Sequence, residues 1–170
     1  MSVEEHRTRG RRLGVLGSTV ITVSDTRTLE TDTSGQTIVA LFEDAGHEVV
    51  ERTVVPDDPP KVDRVLRHWL AAEEVEVIVL SGGTGVAPRD GTVEVVTAAL
   101  DVTLPGFGEL FRYLSYKQIG SAAMLSRAVG GVASGKAVFS LPGSRKAVHL
   151  AMETLILPEL GHLLSLVRGV

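Results

Sequence analysis

Residues 75–85 read Val75-Glu76-Val77-Ile78-Val79-Leu80-Ser81-Gly82-Gly83-Thr84-Gly85, a short β-branched run that ends in a turn rich in glycine. The run 75–80 reads as a buried strand, and the glycines after it let the backbone approach an anion closely and turn N–H groups towards it. The loop is neither a Walker A sequence nor a G-x-G-x-x-G fingerprint, so a tight turn without ligand stands beside the phosphate-cradle reading.

Working outward, similar apolar runs occur at 19–23, 49–55 and 137–141, each bounded by Gly, Pro, Asp or Ser. Helical spacing separates them. Ile38, Leu41 and Phe42 share a face in 37–45, closed by Gly46, and Val62, Val65, Leu66 and Trp69 share a face in 62–72, opened by Pro59 and Pro60. Apolar strands alternating with amphipathic helices predict an α/β fold of three layers, a mainly parallel sheet with helices on both faces. The second half breaks the rhythm. No convincing strand is read between 104 and 131, only helices near 109–116 and 122–128, and a long helix follows at 144–166 that Pro158 should kink or divide.

The chain has 170 residues and a net charge of -4, which predicts one domain and no global attraction to nucleic acid or an anionic membrane. Absence of cysteine excludes disulfides, thiolate metal sites and a cysteine nucleophile, and fits a cytoplasmic setting. Arg7, Arg9, Arg11 and Arg12 before the apolar stretch 13–23 imitate a signal peptide, but Ser18, Thr19 and Thr22 interrupt it and no A-x-A site follows. Residues 1–12 are therefore read as a flexible basic tail and 13–170 as the folded domain. No run of about 18 apolar residues suggests a membrane span. His47, His68, His149 and His162 lack metal-ligand spacing.

In an open parallel sheet, ligands bind beyond the carboxyl ends of the strands. Four unusual loops should meet there. Ser24-Asp25-Thr26-Arg27 and then Asp32-Thr33-Ser34-Gly35 follow the first strand, with capping by Asp32 or Ser34 as the plain alternative. Pro56-Asp57-Asp58-Pro59 follows the second, where capping by Asp58 accounts for one aspartate but not both. After Ser81-Gly82-Gly83-Thr84-Gly85 comes Arg89-Asp90-Gly91-Thr92-Val93-Glu94, whose carboxylates beside bound phosphates would need a cation such as magnesium between them. The alternative is a cap by Asp90 or Thr92 with Glu94 completing a capping box. Last, Leu141-Pro142-Gly143-Ser144-Arg145-Lys146 sets two cations at a helix N-terminus, where they oppose the helix dipole unless an anion binds.

In order along the chain, Val23-Ser24-Asp25, Asp32-Thr33-Ser34-Gly35, Val55-Pro56-Asp57-Asp58, Ser81-Gly82-Gly83-Thr84-Gly85 with Arg89-Asp90, and Leu141-Pro142-Gly143-Ser144 resemble the molybdenum cofactor biosynthesis family. That family includes MoaB, MogA and the G domains of plant and animal molybdenum cofactor proteins. The resemblance spans about 20–157. Pro105-Gly106-Phe107-Gly108-Glu109-Leu110-Phe111-Arg112, with Leu125-Ser126-Arg127-Ala128, is similar to the MoaB branch. Val93 departs from the family's usual proline, which bears on helix initiation rather than chemistry.

The resemblance implies a MogA-like, Rossmann-type fold and transfer of the adenylyl group of ATP to the terminal phosphate of molybdopterin, releasing pyrophosphate. It implies that Asp57 and Asp90 hold Mg2+ with ATP, and that Asp25 is a further candidate. Ser24, Ser34, Gly35, Ser81, Gly82, Gly83, Thr84, Gly85 and Arg89 would line the phosphate site, and Pro142, Gly143 and Ser144 would contact molybdopterin. It also implies a homo-oligomer, trimer or hexamer, with 104–125 as the interface, and a downstream metal-insertion protein as partner. Two other activities are compatible with the same motifs: a binding-only molybdopterin carrier, and a nucleotide pyrophosphatase like the competence-damage-inducible domains.

Overall fold

The structure is a computed structural model that describes residues 13–169; the basic tail 1–12 lies outside the described residues. Six strands form one sheet: β1 (Gly17–Val23), β2 (Glu48–Val55), β3 (Val77–Ser81), β4 (Val102–Thr103), β5 (Val129–Ala133) and β6 (Lys136–Leu141), in the order β2-β1-β3-β6-β5-β4. β2, β1, β3 and β6 run parallel, with Val23 opposite Val55, Thr22 opposite Ser81, and Ser81 opposite Leu141. Their carboxyl ends therefore finish on one rim. The order reverses between β1 and β3, the position where open α/β sheets leave a crevice.

The period of two along each strand divides the core. Val20, Val77, Val79, Ala137, Phe139 and Leu141 face one layer, while Ile21, Ile78, Leu80 and Val138 face the other. The first layer holds α1 (Thr33–Asp44), α4 (Pro105–Ile119), α5 (Arg145–Ala151) and α6 (Leu157–Arg168), and the second holds α2 (Pro59–Ala71) and α3 (Thr92–Ala99). Phe42 of α1 and Leu66 of α2 are fully buried, each stabilising the fold by about 2 kcal/mol through removal of apolar surface from water. The three-layer expectation holds.

Three expectations need correction. β5 begins inside the segment read as free of strand, and pairs antiparallel with β6 and β4. Gly130 and Gly131 hide it in the sequence by removing the β-branched signal, and they are there because the aromatic ring of Phe139 and the carbonyl of Val102 come too close for a side chain. The helix expected at 122–128 is a short 3-10 turn, Gly120–Leu125, so Ser126 onward is free to run extended into β5.

The terminal helix is interrupted as expected. A π-helical turn, Met152–Ile156, separates α5 from α6, in which Pro158 lies in the first turn. Proline has no N–H for the carbonyl four residues back, and the wider turn accommodates that loss. Contrary to the reading of membrane length, the continuous helical stretch Arg145–Arg168, 24 residues, is long and apolar enough by composition to cross a bilayer. Here its apolar stripe, Val148, Ala151, Met152, Ile156, Leu160 and Leu164, is buried in the core.

Candidate active site

The rim carries two groups of carboxylates in different surroundings. The first centres on Asp32, the N-cap of α1, which is fully buried. Its carboxylate accepts hydrogen bonds from Gly35 N at 2.9 Å, Ser34 Oγ at 3.1 Å, Thr22 Oγ1 at 2.7 Å and Arg52 Nη1 at 3.1 Å. Burial by itself raises the pKa of this group, but the bonds from Gly35, Thr22, Ser34 and Arg52 outweigh it and hold the carboxyl below its ordinary value. Ser34 and Gly35, expected among ligand-binding residues, spend their polar groups on this cap. Their effect on a ligand would pass through the placement of α1.

The second group is Asp57 and Asp90. Asp57 lies at the end of β2 and Asp90 just before α3, and their carboxyl groups meet within hydrogen-bonding reach. Burial, and then the neighbouring Asp90 charge, push the Asp57 carboxyl above its ordinary value. Asp57 N donates to Asp25 Oδ1 at 3.0 Å, and Asp25 is paired with Arg89. These contacts tie the loops after β1, β2 and β3 together. Asp90 Oδ2 also accepts from Ala87 N at 2.9 Å, which closes the loop on itself. The capping alternatives fail here: Gly91 is the N-cap of α3 with no side-chain bond, and Asp58 precedes α2 without capping it, pairing instead with Lys61 at 3.3 Å.

The glycine-rich loop needs its glycines at two positions in particular. Gly82 has φ 100°, and a methyl group there would sit 2.2 Å from Val23 O. Its N–H donates to Leu141 O at 3.0 Å, so Gly82 joins three strand ends rather than donating to a phosphate. Gly83 has φ 62°, and a methyl group there would sit 2.1 Å from Thr92 Oγ1 and 3.1 Å from Asp57 Oδ1. That leaves the N–H groups of Gly83, Thr84 and Gly85 as the loop's candidate donors to an anion. Ser81 is fully buried within β3, and its hydroxyl has no partner.

The remaining expected residues are close by. Ser24 Oγ accepts from Thr26 N at 3.3 Å and Arg27 N at 3.1 Å, bending the loop after β1. Gly143 packs on Gly82, with 3.3 Å from its Cβ position to Gly82 Cα. Ser144 caps α5, accepting from Ala147 N at 3.2 Å, and borders a groove of 1080 Å³ shared with Ser115, Gln118, Arg145, Lys146 and His149.

A divalent cation suits the second group and not the first. Asp32 has its donors already, whereas Asp57 and Asp90 face each other, with Ala87 N donating to the Asp90 carboxylate of the pair. Thr92 Oγ1, buried beside them, has no hydrogen-bond partner. Among the described residues no three or more His, Cys, Asp or Glu side chains gather into a metal cage. Mg2+ is the ion that tolerates this, since it binds through one or two carboxylates and fills its octahedron with water and substrate phosphate.

Sequence reasoning assigned no role to Arg127. It reaches the glycine-rich loop from the segment before β5, donating to Gly85 O at 2.9 Å and Asp90 O at 2.9 Å and pairing with Glu94. That pairing holds Glu94 below its ordinary pKa. Lys136 is the other surprise: it is buried, with Nζ donating to Ala72 O and Val75 O, and burial lowers its pKa against the opposing pull of Glu74, Glu76 and Glu73.

Residues 19–162 match the family described as "Probable molybdopterin binding domain". The chain belongs to the molybdenum cofactor biosynthesis family. It is 49% identical over 164 residues to "Molybdenum cofactor biosynthesis protein B" of Bacillus cereus, covering 96% of each chain. A crystal structure of a molybdenum cofactor biosynthesis protein B superposes with TM-score 0.89 at 48% identity, covering 92% of this chain and 98% of that one. The tungsten cofactor synthesizing protein MoaB from Pyrococcus furiosus superposes with TM-score 0.82 at 36% identity, covering 91% and 98%. Membership of this biosynthetic family agrees with the motif order read from the sequence, and the α/β fold is that of its MoaB and MogA members.

Proposed function

We propose that this member of the molybdenum cofactor biosynthesis family adenylylates molybdopterin at the expense of Mg-ATP. The observation that carries the reading is the pair of opposed carboxylates, Asp57 and Asp90, beside a glycine-rich turn at the sheet's switch point. In the reaction an oxygen of the terminal molybdopterin phosphate forms a bond to the α-phosphorus of ATP. The bond from that phosphorus to the bridging oxygen breaks, and pyrophosphate leaves with its electron pair. The attacking oxygen is anionic near neutral pH, so no strong general base is needed. Bound Mg2+ would neutralise charge on the triphosphate.

The chain's own residues bind and align. Asp57 and Asp90 hold the metal-nucleotide complex, and Gly83, Thr84 and Gly85 receive phosphate oxygens through backbone N–H groups. Arg89, kept in place by Asp25, adds positive charge at the same rim. The groove beyond Ser144, with Arg145 and Lys146, fits the phosphorylated end of a pterin. Leu110, Tyr113, Tyr116, Ile119, Met124 and Leu125 are exposed on α4 and the following turn, and this apolar face is assigned to contacts between copies of the chain.

The test is pyrophosphate release with Mg-ATP and molybdopterin. Product from the wild type, lost in Asp57→Ala and Asp90→Ala, is the expected result. Molybdopterin binding without product would instead make the protein a carrier.

A further inference from the structure

We infer that Arg127 is a positioning residue that sets the glycine-rich loop in its anion-accepting form, an inference that rests on the proposed use of this loop. A loop that receives phosphate through N–H groups must keep its carbonyl oxygens off the anion, because the two negative ends repel. In this loop the carbonyls have a partner on the far side. Arg127 Nε donates to Gly85 O at 2.9 Å and, at the longer 3.4 Å, to Thr84 O. Arg127 Nη2 donates to Asp90 O at 2.9 Å, and Nη1 pairs with Glu94 in the first turn of α3.

One rigid guanidinium thus gathers both ends of the segment 84–90 and the helix that follows it. A planar fork with five N–H donors does this; an ammonium, as a compact point charge, does not reproduce the spacing. Because Asp90 O is one of the acceptors, the same group fixes the main chain that carries the Asp90 carboxylate towards Asp57. Arg127 itself touches neither carboxylate of that pair, so its influence is through the loop.

The main chain of Arg127 is in turn anchored. Ala128 is buried, and Arg112 of α4 reaches the flanking carbonyls of Ser126, at 3.5 Å, and Ala128, at 3.4 Å. Nothing within the loop replaces these contacts. Within the loop itself, Ala87 N donates to Asp90 Oδ2 and Asp90 N to Ala87 O, both at 2.9 Å, and Thr92 N reaches Gly83 O at 3.2 Å; none of these engages the carbonyls of Thr84, Gly85 or Asp90 that Arg127 holds.

The experiment compares the wild type with Arg127→Ala, Arg127→Lys and Glu94→Gln, first by amide hydrogen exchange without ligand and then by steady-state kinetics with Mg-ATP. In Arg127→Ala, exchange across 83–91 should speed up by about tenfold or more, since several bonds to a charged donor are lost. Exchange in 77–81 should stay as in the wild type, which shows that the sheet remains folded. KM for Mg-ATP should rise by about tenfold with a smaller change in kcat, and free guanidinium should restore part of the loss. Arg127→Lys should fall between the two, and Glu94→Gln should shift KM by less than about threefold.

Unchanged exchange across 83–91 in Arg127→Ala would overturn the inference. So would faster exchange with unaltered KM and kcat. Failure of the proposed reaction is read separately: a wild type that forms no pyrophosphate overturns the activity, while exchange without substrate still decides whether Arg127 holds the loop.

Discussion

Asp32 and the Asp57–Asp90 pair lie on the same rim, each aspartate in a short loop just before a helix. Their surroundings are opposite. Asp32 is fully buried and meets four donors, one of them the Arg52 guanidinium. Asp57 is partly exposed and meets another carboxyl. A carboxylate surrounded by donors is part of the framework. Two carboxylates facing each other need a proton or a cation, and that need marks a place for chemistry.

The largest difference between the two regions should appear in activity. Asp57→Ala or Asp90→Ala should lower kcat for pyrophosphate release by about a thousandfold and leave chemical denaturation close to the wild-type curve. Asp32→Ala should do the reverse. Loss of a buried, paired carboxylate leaves Arg52 and the α1 N–H groups without their acceptor, costing about 3 kcal/mol in denaturant unfolding. Residual Asp32→Ala protein that is folded should keep most of its kcat. If instead Asp32→Ala stayed stable but lost kcat, the two roles would have to be exchanged.

Gly83→Ala tests the join between loop and carboxylates. The left-handed φ and the contact with Thr92 Oγ1 predict destabilisation of about 1–2 kcal/mol, measurable in the same unfolding experiment. Full stability would show that the loop shifts freely away from Thr92.

The smallest effect is on the pH dependence of stability, and it has opposite signs in the two regions. The folded Asp32 carboxyl titrates below the ordinary 3.8, so its stabilisation is complete above that value and is lost as pH falls through the lowered one. The folded Asp57 carboxyl titrates above 3.8, so the contribution of its neutral form is present below that value and is lost as pH rises towards the raised one. Asp57→Asn should remove the second slope and spare the first. Near neutral pH, Mg2+ should raise the wild-type Tm by about 2–4 °C and leave Asp57→Asn unmoved. A Mg2+ response retained in Asp57→Asn would place the cation elsewhere.

Much of this was legible in the chain. The four parallel strands, the helices of both layers and the loops at one rim follow from a period of two or of 3.6 and from turn residues, which act over a few positions. β5 was not legible, because Gly130 and Gly131 are chosen by what lies across the sheet rather than by their neighbours in sequence. Arg127 was visible only as part of the motif Leu125-Ser126-Arg127-Ala128, with no role attached to its side chain. Its acceptors are 33 to 43 positions away.

By itself the sequence determined the α/β class, the order of the motifs and the residue types able to meet phosphate, since these depend on local propensity and on the chemistry of each side chain. The tertiary structure decided which aspartate is which. Asp32 and Asp57 each lie in a loop that leads into a helix, and what separates their use is donors and acceptors delivered by distant strands: Arg52 from β2 to the one, Asp90 from beyond β3 to the other. A carboxylate's charge state and use follow from the groups within a few ångströms of it, and the fold alone brings those groups there.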